Sequence, residues 1–307
     1  MKRVSLQLAA GIVVCLLVTT SASAQVARVF LAGTGNDAGD CSNQATPCRS
    51  LQGAVTACPV NGEIIILDNG GYGGATITKS LTVNASAGVV AFIARTITVN
   101  IGATDKVVLR GLSMNGVVFG DTWGIELAGG GTLVVENFVI AGFTNGAGIL
   151  QTAAGSNLIV KNCEFRNNNS GVQNDSNSSV TSTIVIENSR FEYNNFGVVP
   201  EFGAANVSVR NSVVANNGVG VLAFSNSQTQ PVLIVVDTCT IAHNTTGTKA
   251  QAYAGASATI RVTNSTIYHN GDGMLFYNPG AIESYGNNRV TANTANSTFS
   301  GTVLPLQ

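Results

Sequence analysis

Apolar and polar residues alternate with a period of two in short segments through most of this chain. This period is typical of β-strands, in which successive side chains point to opposite faces. The stretch IRVTNSTIYHNGDGM (260–274) contains one complete unit. The unit reads as a strand, a turn at Asn264, a short strand, a turn at Asn270, and a third strand that begins at Gly273.

This unit recurs every 23 to 27 residues, and we call its first Asn, or the residue that replaces it, the anchor. The seven anchors are Gly111, Asn137, Asn162, Asn188, Asn211, Thr238 and Asn264. A period of this length indicates a stacked repeat, because no single unit can bury its own inner face. The sequence therefore predicts a parallel β-solenoid with three short strands in each coil. We count about nine coils, with third strands that begin from Ile64 to Met274.

Inward-facing positions are recognised by their offset from the anchor. The residues four and two positions before each anchor, and three positions after it, are apolar in all seven units. Phe165 and Phe191 have the same offset in adjacent units. We expect all of these side chains to fill the core, because alternate residues of a strand share one face.

The anchor Asn has two predicted roles. A bend between strands can require the left-handed backbone conformation, which Asn tolerates better than most residues. Its side-chain amide can also bond the equivalent amide one coil away. We therefore expect an Asn ladder at the anchor position.

The residues directly before the anchors alternate in charge. They are Arg110, Glu136, Lys161, Glu187, Arg210 and Asp237. Opposite charges on neighbouring strands stabilise a sheet, and like charges destabilise it. We interpret this column as a device that fixes the register of the coils rather than as a binding strip.

Residues 1–24 have the features of a secretory signal peptide. Lys2 and Arg3 precede an apolar run that ends in Ala22-Ser23-Ala24, a cleavage site before Gln25. The alternative is that residues 1–24 remain uncleaved and anchor the protein in the membrane. We predict a secreted or periplasmic protein whose mature chain has no membrane span.

Residues 25–62 form a predicted N-terminal cap segment, and residues 63–307 form the predicted β-helix. Ser50 has the features of a helix N-cap before Leu51-Gln52-Gly53-Ala54-Val55-Thr56-Ala57. An amphipathic helix at this position would cover the open end of the first coil. The tail TFSGTVLPLQ (298–307) would close the other end.

The cysteines fall into two groups. Cys41 and Cys48 flank a polar loop, and we expect them to form a disulfide after export. Cys58 competes for either partner, so the sequence leaves its pairing open. Cys163 and Cys239 share one offset three coils apart, too far to bond, and are expected to be buried.

Composition and charge exclude several classes of function. Charged residues make up 10% of the chain and the net charge is −1. No basic stripe is present, so no nucleic-acid partner is expected. His243 and His269 share one offset but lack the further ligands of a zinc site. We therefore predict no metal and no cofactor.

One column of residues could carry chemistry. Thirteen positions after the last five anchors stand Asp175, Glu201, Phe224, Gln251 and Tyr277, with Lys249 close by. If the third strands extend this far, these side chains all point outward. Asp175 and Glu201 would then lie ~5 Å apart, the separation found in retaining glycosidases, while the aromatic rings suit the apolar faces of sugars. Solvated acids at uneven strand ends are the alternative.

The run SLQGAV, NGEIIIL, GGY and ITKSLTV, followed by the repeated V-x-N-S units, resembles right-handed parallel β-helix proteins of the pectate-lyase-like superfamily. The chain closely resembles small exported bacterial members without an assigned reaction. This resemblance implies an all-β, right-handed parallel β-helix with an N-terminal capping helix. The fold hosts lyases, hydrolases and adhesins, so it implies little about activity. The GHG segment of polygalacturonases, the calcium-binding Asp cluster of pectate lyases and their Arg base have no counterparts.

These observations favour an exported protein that binds a polysaccharide or a surface protein at the bacterial envelope without catalysis. On this interpretation, Phe224, Lys249, Gln251 and Tyr277 form the binding strip, and both carboxylates titrate normally. A carbohydrate-active enzyme, either a polysaccharide lyase or a glycoside hydrolase, is the alternative. Asp175 and Glu201 would then be catalytic, together with Lys249. A purely structural or adhesive protein is the third possibility.

Overall fold

The computed structural model describes residues 27–253 and 255–305, so the predicted signal peptide (1–24) lies outside the described residues. In this part of the chain, the strands pair in parallel and form three long sheets. Each regular coil contributes one strand to every sheet. The predicted parallel β-solenoid is confirmed.

We name the three sheets A, B and C. Sheet A has 11 strands: Arg28–Leu31, Gly62–Ile66, Leu81–Ala85, Lys106–Arg110, Thr132–Glu136, Asn157–Lys161, Ser182–Glu187, Ala205–Arg210, Val232–Asp237, Ala258–Thr263 and Ala281–Ser284. Sheet B has 10 strands: Gly70–Gly71, Ala91–Ile93, Leu112–Asn115, Val139–Ala141, Glu164–Arg166, Arg190–Glu192, Val213–Ala215, Thr240–Ala242, Thr266–Tyr268 and Arg289–Thr291. Sheet C has 9 strands: Ala75–Ile77, Ile97–Val99, Ile125–Leu127, Ala147–Gln151, Ser170–Asn174, Phe196–Pro200, Val219–Ser225, Thr246–Ala252 and Asp272–Tyr277.

The start of the first coil differs from the prediction. Ile64 lies in sheet A, and the first strand of sheet C is Ala75–Ile77. The apolar run 63–67 has a composition that would suit a buried strand in any of the three sheets. Its sequence alone therefore does not show to which sheet it belongs.

The core consists of the predicted inward positions. All of the apolar residues at the three offsets are buried, and Phe165 and Phe191 are completely so. Burial of these side chains is the main favourable contribution to folding, about 1.5–3 kcal/mol for each large apolar residue.

The anchors adopt the left-handed conformation, as predicted. The φ angles of Asn137, Asn162, Asn188, Asn211, Thr238 and Asn264 lie between 48° and 55°, and Gly111 has a φ of 75°. The predicted ladder of anchor amides is wrong for most of the stack. Among the described residues, amide bonds between successive anchors link only Asn264 and the equivalent Asn287.

A ladder forms instead six positions after the anchors. Its members are Asn168, Asn194, Asn217, Asn244, Asn270 and Asn293. The Nδ2 atom of each of the first five donates to Oδ1 of the next member at 2.9 to 3.0 Å. The first five are buried. A buried amide is costly unless its hydrogen bonds are made, and the stack supplies them at every coil.

The N-terminal end is closed as expected. The helix Leu51–Ala57 buries Leu51, Ala54 and Val55, and the Ser50 hydroxyl accepts from the Gly53 amide at 3.0 Å. Strand Arg28–Leu31 of the predicted cap segment pairs with Gly62–Ile66 and extends sheet A by one strand.

The cysteines are structural. Cys41 and Cys48 form the predicted disulfide, with Cα atoms 5.2 Å apart. Cys58 is a buried free thiol, which resolves the open pairing. Burial raises the pKa of Cys163 to about 12 and those of Cys58 and Cys239 to about 11. These thiols therefore stay protonated and unreactive near neutral pH.

The C-terminal tail covers the last coil. Backbone amides of Ser300 and Leu304 donate to carbonyls of Ile282 and Ser284, and Phe299 packs against the core. None of the helices among residues 27–253 and 255–305 has the length and hydropathy needed to cross a membrane.

Candidate functional site

The predicted column lies on the outer face of sheet C. Phe224 pairs with Gln251, and Gln251 pairs with Tyr277, inside regular strands. The strands that precede Asp175 and Glu201 end one residue earlier, and their last residues, Asn174 and Pro200, pair with each other. The two carboxylates therefore follow the same register, one residue beyond the sheet.

Backbone hydrogen bonds hold the two acidic residues in line. The amide of Asp175 donates to the carbonyl of Gln151 at 2.9 Å, and that of Glu201 donates to the carbonyl of Asn174 at 3.1 Å. Gln173 Nε2 also donates to Glu201 Oε1 at 2.6 Å. The Glu201 side chain is thus fixed by a neighbour on the preceding coil.

The pKa values of this pair depart from the expectation of ordinary titration. Burial raises the pKa of Asp175 above its usual value. Burial, and then the negative charge of Asp175, raise the pKa of Glu201. Both shifts have the direction expected for carboxylates that share a partly dehydrated site. The sequence missed this effect because burial at a strand end depends on the neighbouring loops.

Aromatic side chains continue the site beyond Glu201. The ring of Phe224 makes edge contacts with Phe202 on one side and Tyr253 on the other, each at 5.8 Å between centroids. Tyr253 and Tyr277 are 58% and 51% exposed. Sequence reasoning identified Phe224 and Tyr277 but missed Phe202 and Tyr253. Both residues follow strand ends. The apolar–polar alternation that shows whether a side chain points inward or outward stops there.

Lys249 belongs to the aromatic end of the site. Its Nζ atom lies 5.5 Å from the centre of the Tyr277 ring, a cation–π contact. Lys249 pairs with Leu222, so it lies two coils from Glu201. At about 4.8 Å per coil, the structure does not bring Lys249 into one centre with the carboxylates.

The carboxylate residues Asp175 and Glu201 are half-buried. A hollow of about 520 Å³ lies elsewhere, on sheet A beside Leu304. Next to Asp175, two buried side-chain oxygens, Asn174 Oδ1 and Ser176 Oγ, lack a hydrogen-bond partner among the described residues. The site therefore combines half-buried carboxylates with exposed aromatic side chains.

The two histidines lie away from this site. His243 and His269 stack with parallel rings 5.5 Å apart, and Tyr268 contacts both through its edge. Both occupy turns with a positive φ angle and are exposed, as expected. No group of three or more His, Cys, Asp or Glu side chains suited to a metal occurs among residues 27–253 and 255–305.

Comparison with known proteins identifies the fold. A family model described as "Right handed beta helix region" matches residues 63–234. The crystal structure of pectate lyase Pel9A superposes with a TM-score of 0.60 at 16% identity, covering 90% of this chain and 81% of that one. A rhamnogalacturonan lyase gives a TM-score of 0.45 at 12% identity, with coverages of 90% and 88%. No curated protein has a significantly similar sequence.

Proposed function

Because this chain belongs to the right-handed β-helix family, we propose that the outer face of sheet C binds an extended polysaccharide. We define the binding strip as Asp175, Glu201, Phe224, Gln251 and Tyr277, with Phe202, Tyr253 and Lys249 at its edge. The observation that carries the proposal is the in-register alignment of carboxylate, amide and aromatic side chains on successive coils.

The chemistry of the strip fits a sugar chain. Exposed Tyr253 and Tyr277 offer ring faces to the apolar side of a pyranose, and Tyr and Trp combine apolar area with a polar end in binding surfaces. Gln251 and the carboxylates can bond sugar hydroxyls. The coil spacing of about 4.8 Å is close to the length of one sugar unit, so successive coils can contact successive sugars.

The charges of the strip favour a neutral or amino-sugar polymer. Asp175 and Glu201 provide two acidic groups, and the one ammonium, on Lys249, already lies against Tyr277. A polyuronate would bring its own carboxylates toward Asp175 and Glu201, and like charges repel. We therefore expect weaker binding of pectate or alginate than of neutral glycans, although one structural neighbour is a pectate lyase.

A glycan array followed by affinity electrophoresis tests the proposal. Tyr277→Ala and Tyr253→Ala should weaken binding of the best ligand at least about tenfold, equivalent to about 1.4 kcal/mol. Tyr193→Ala is the matched control, because Tyr193 is 62% exposed but lies at a turn after a strand of sheet B. The proposal fails if no glycan binds, and a purely structural role would then be favoured. Equal losses in all three variants would place the ligand elsewhere.

The raised pKa values of Asp175 and Glu201 favour a second candidate function, glycoside hydrolysis. A hydrolase needs one protonated and one ionised carboxylate near neutral pH. Burial, and then the Asp175 charge, raise the pKa of Glu201, which is the direction that favours a protonated acid. We assign Glu201 as the acid and Asp175 as the nucleophile in this mechanism. The separation of two coils between Lys249 and Glu201 argues against a lyase that uses this pair.

Product assays separate the two functions. The best ligand from the array is incubated with the protein, and reducing ends and unsaturated products are measured. Binding without either product supports the binding protein. New reducing ends that disappear in Glu201→Gln, with binding retained, support the hydrolase. Unsaturated products would contradict both.

A further inference from the structure

The outer face of sheet A carries a column that is apolar at five of its six positions. It runs through the middle of the strands and consists of Val108, Val134, Ile159, Val185, Ser208 and Val235, paired in this order. These side chains point away from the core, since the residues on either side of each are buried. Valine and isoleucine on an outer face indicate a surface that another structure covers.

The alternating charges run beside this column, two residues further along the same strands. Neighbours in the column form ion pairs: Arg110 with Glu136 at 2.8 Å, Lys161 with Glu187 at 3.6 Å, and Arg210 with Asp237 at 3.6 Å. The column has an even number of alternating charges. If the order of the coils is reversed, every position in the column therefore receives a charge of the opposite sign.

We propose that this face docks against the same face of a second copy of the chain, with the two solenoid axes antiparallel. The two-fold axis would run along the strand direction, between Asn157–Lys161 and Ser182–Glu187. Such an axis keeps each residue's position along the strand and reverses the order of the coils. The charge columns of the two copies therefore face each other.

Every charge of the column then meets its opposite. Lys161 faces Glu187 of the second copy, Arg110 faces its Asp237, and Glu136 faces its Arg210. The apolar columns also meet, with Ile159 against Val185 of the second copy. A closed two-fold contact of this kind uses one patch twice and leaves no surface for further growth.

The size of the face suits a stable dimer. Ten strands of sheet A, from Gly62–Ile66 to Ala281–Ser284, overlap their symmetry mates. At about 4.8 Å per strand and a width of about 17 Å, each copy contributes about 800 Å², and a specific interface buries about 1,600 Å² in total.

The ends of the face are compatible with this arrangement. Glu63 would come opposite Glu283 of the second copy, but Arg28 and Arg261 already neutralise these two residues at 3.0 and 2.8 Å. Leu304 forms a wall at one end. The two-fold axis brings that wall toward a hollow of about 590 Å³ at the other end, beside Asn84.

Sedimentation equilibrium of the purified protein, compared with that of Val185→Lys, tests the proposal. The wild type should be a dimer, and Val185→Lys should raise its dissociation constant more than about tenfold. Val213→Lys is the matched control, since Val213 is a half-buried outward valine of sheet B. A wild type that stays monomeric up to high micromolar concentration, or a dimer unaffected by Val185→Lys, overturns the proposal.

A charge-inverted chain tests the antiparallel register. All six charges are reversed together: Arg110→Glu, Glu136→Arg, Lys161→Glu, Glu187→Lys, Arg210→Glu and Asp237→Lys. Alternation within the chain is preserved, so this variant should fold and form its own dimer. A mixture with isotopically labelled wild type should contain no mixed dimers in native mass spectrometry, because like charges would meet at every coil. Mixed dimers at the statistical proportion contradict the register.

Discussion

Phe165 and Phe191 stack face to face in the core, with ring centroids 4.8 Å apart and ring planes 4° from parallel. They stand in paired positions of neighbouring strands of sheet B. The ring separation therefore equals the ordinary distance between adjacent strands. Because parallel coils repeat the same backbone path, side chains at equal offsets meet with equal orientation, and each one packs mainly on its counterparts above and below.

Replacing one of these rings should leave a cavity that does not collapse. Phe191→Ala is expected to lower the free energy of unfolding by about 3–5 kcal/mol. Phe224→Ala, which removes the same ring from the outer face of sheet C, should cost clearly less. Denaturant titration of both variants measures the difference. A cost below about 1 kcal/mol for Phe191→Ala would contradict its place in the core stack.

Reversing a charge in the column of sheet A should cost more than removing it. Lys161 stands between Glu136 and Glu187, so Lys161→Glu puts three acidic side chains on successive strands. We expect Lys161→Ala to cost about 0.2–1 kcal/mol and Lys161→Glu to cost more. The difference should shrink in 1 M salt, since partly exposed charges are screened. Equal costs at low salt would mean that the charges do not interact.

The two Asn positions of each coil should differ in their sensitivity to substitution. Asn217 belongs to the buried ladder, and Asn217→Ala leaves partners on both Asn194 and Asn244 without their bonds. We expect a cost of more than about 2 kcal/mol. Anchor Asn211 provides only its left-handed backbone, so Asn211→Ala should cost about 1–2 kcal/mol. A larger loss at Asn211 than at Asn217 would argue against the ladder.

Thr238 occupies an anchor position with a φ of 55°, which is unfavourable for a β-branched residue. Asn holds most other anchors. Thr238→Asn should therefore raise the free energy of unfolding by about 0.5–1 kcal/mol, while Thr263→Asn, in an ordinary strand conformation, should not. Thermal unfolding of the two variants is the measurement. A destabilised Thr238→Asn would show that the threonine hydroxyl bond to Asp237 outweighs the backbone strain.

The raised pKa of Glu201 gives a defined dependence of stability on pH. The folded chain holds this proton at pH values where the unfolded chain has lost it. The resulting stabilisation is complete below the ordinary value of 4.5 and is lost as pH rises through the higher pKa of the folded state. The Glu201→Gln variant has no carboxyl group to titrate at this position, so it does not lose stability in this way. Its free energy of unfolding relative to that of wild type should therefore increase as pH rises from about 4 to 7.

Carboxylate NMR titration measures the same effect directly. Asp175→Asn should lower the pKa of Glu201 only part of the way to normal, because burial is the first cause of the shift and the Asp175 charge the second. Asp68→Asn, a substitution outside sheet C, is the control. If Asp175 and Glu201 both titrate at ordinary values in the wild type, the hydrolase candidate should be abandoned.

The sequence by itself determined the architecture. The period of about 25 residues, the alternation within it and the fixed apolar offsets require stacked coils with one buried face. The same offsets identified the core rings of Phe165 and Phe191 and the alternating charges. These features are periodic, so each repeat confirms the others. The left-handed anchors were likewise predictable, because backbone preference is a local property of the residue.

Tertiary structure decided the features that depend on burial rather than on offset. Both Asn positions could form a ladder, but only the second points into the stack, where an amide must be hydrogen-bonded. Phe202 and Tyr253 join Phe224 through loops of unequal length, which break the alternation. Burial at Asp175 and Glu201 likewise depends on how neighbouring coils pack around two residues that lie just beyond the strand ends. The repeat specifies where the backbone runs, whereas dehydration of a side chain depends on atoms that the repeat does not specify.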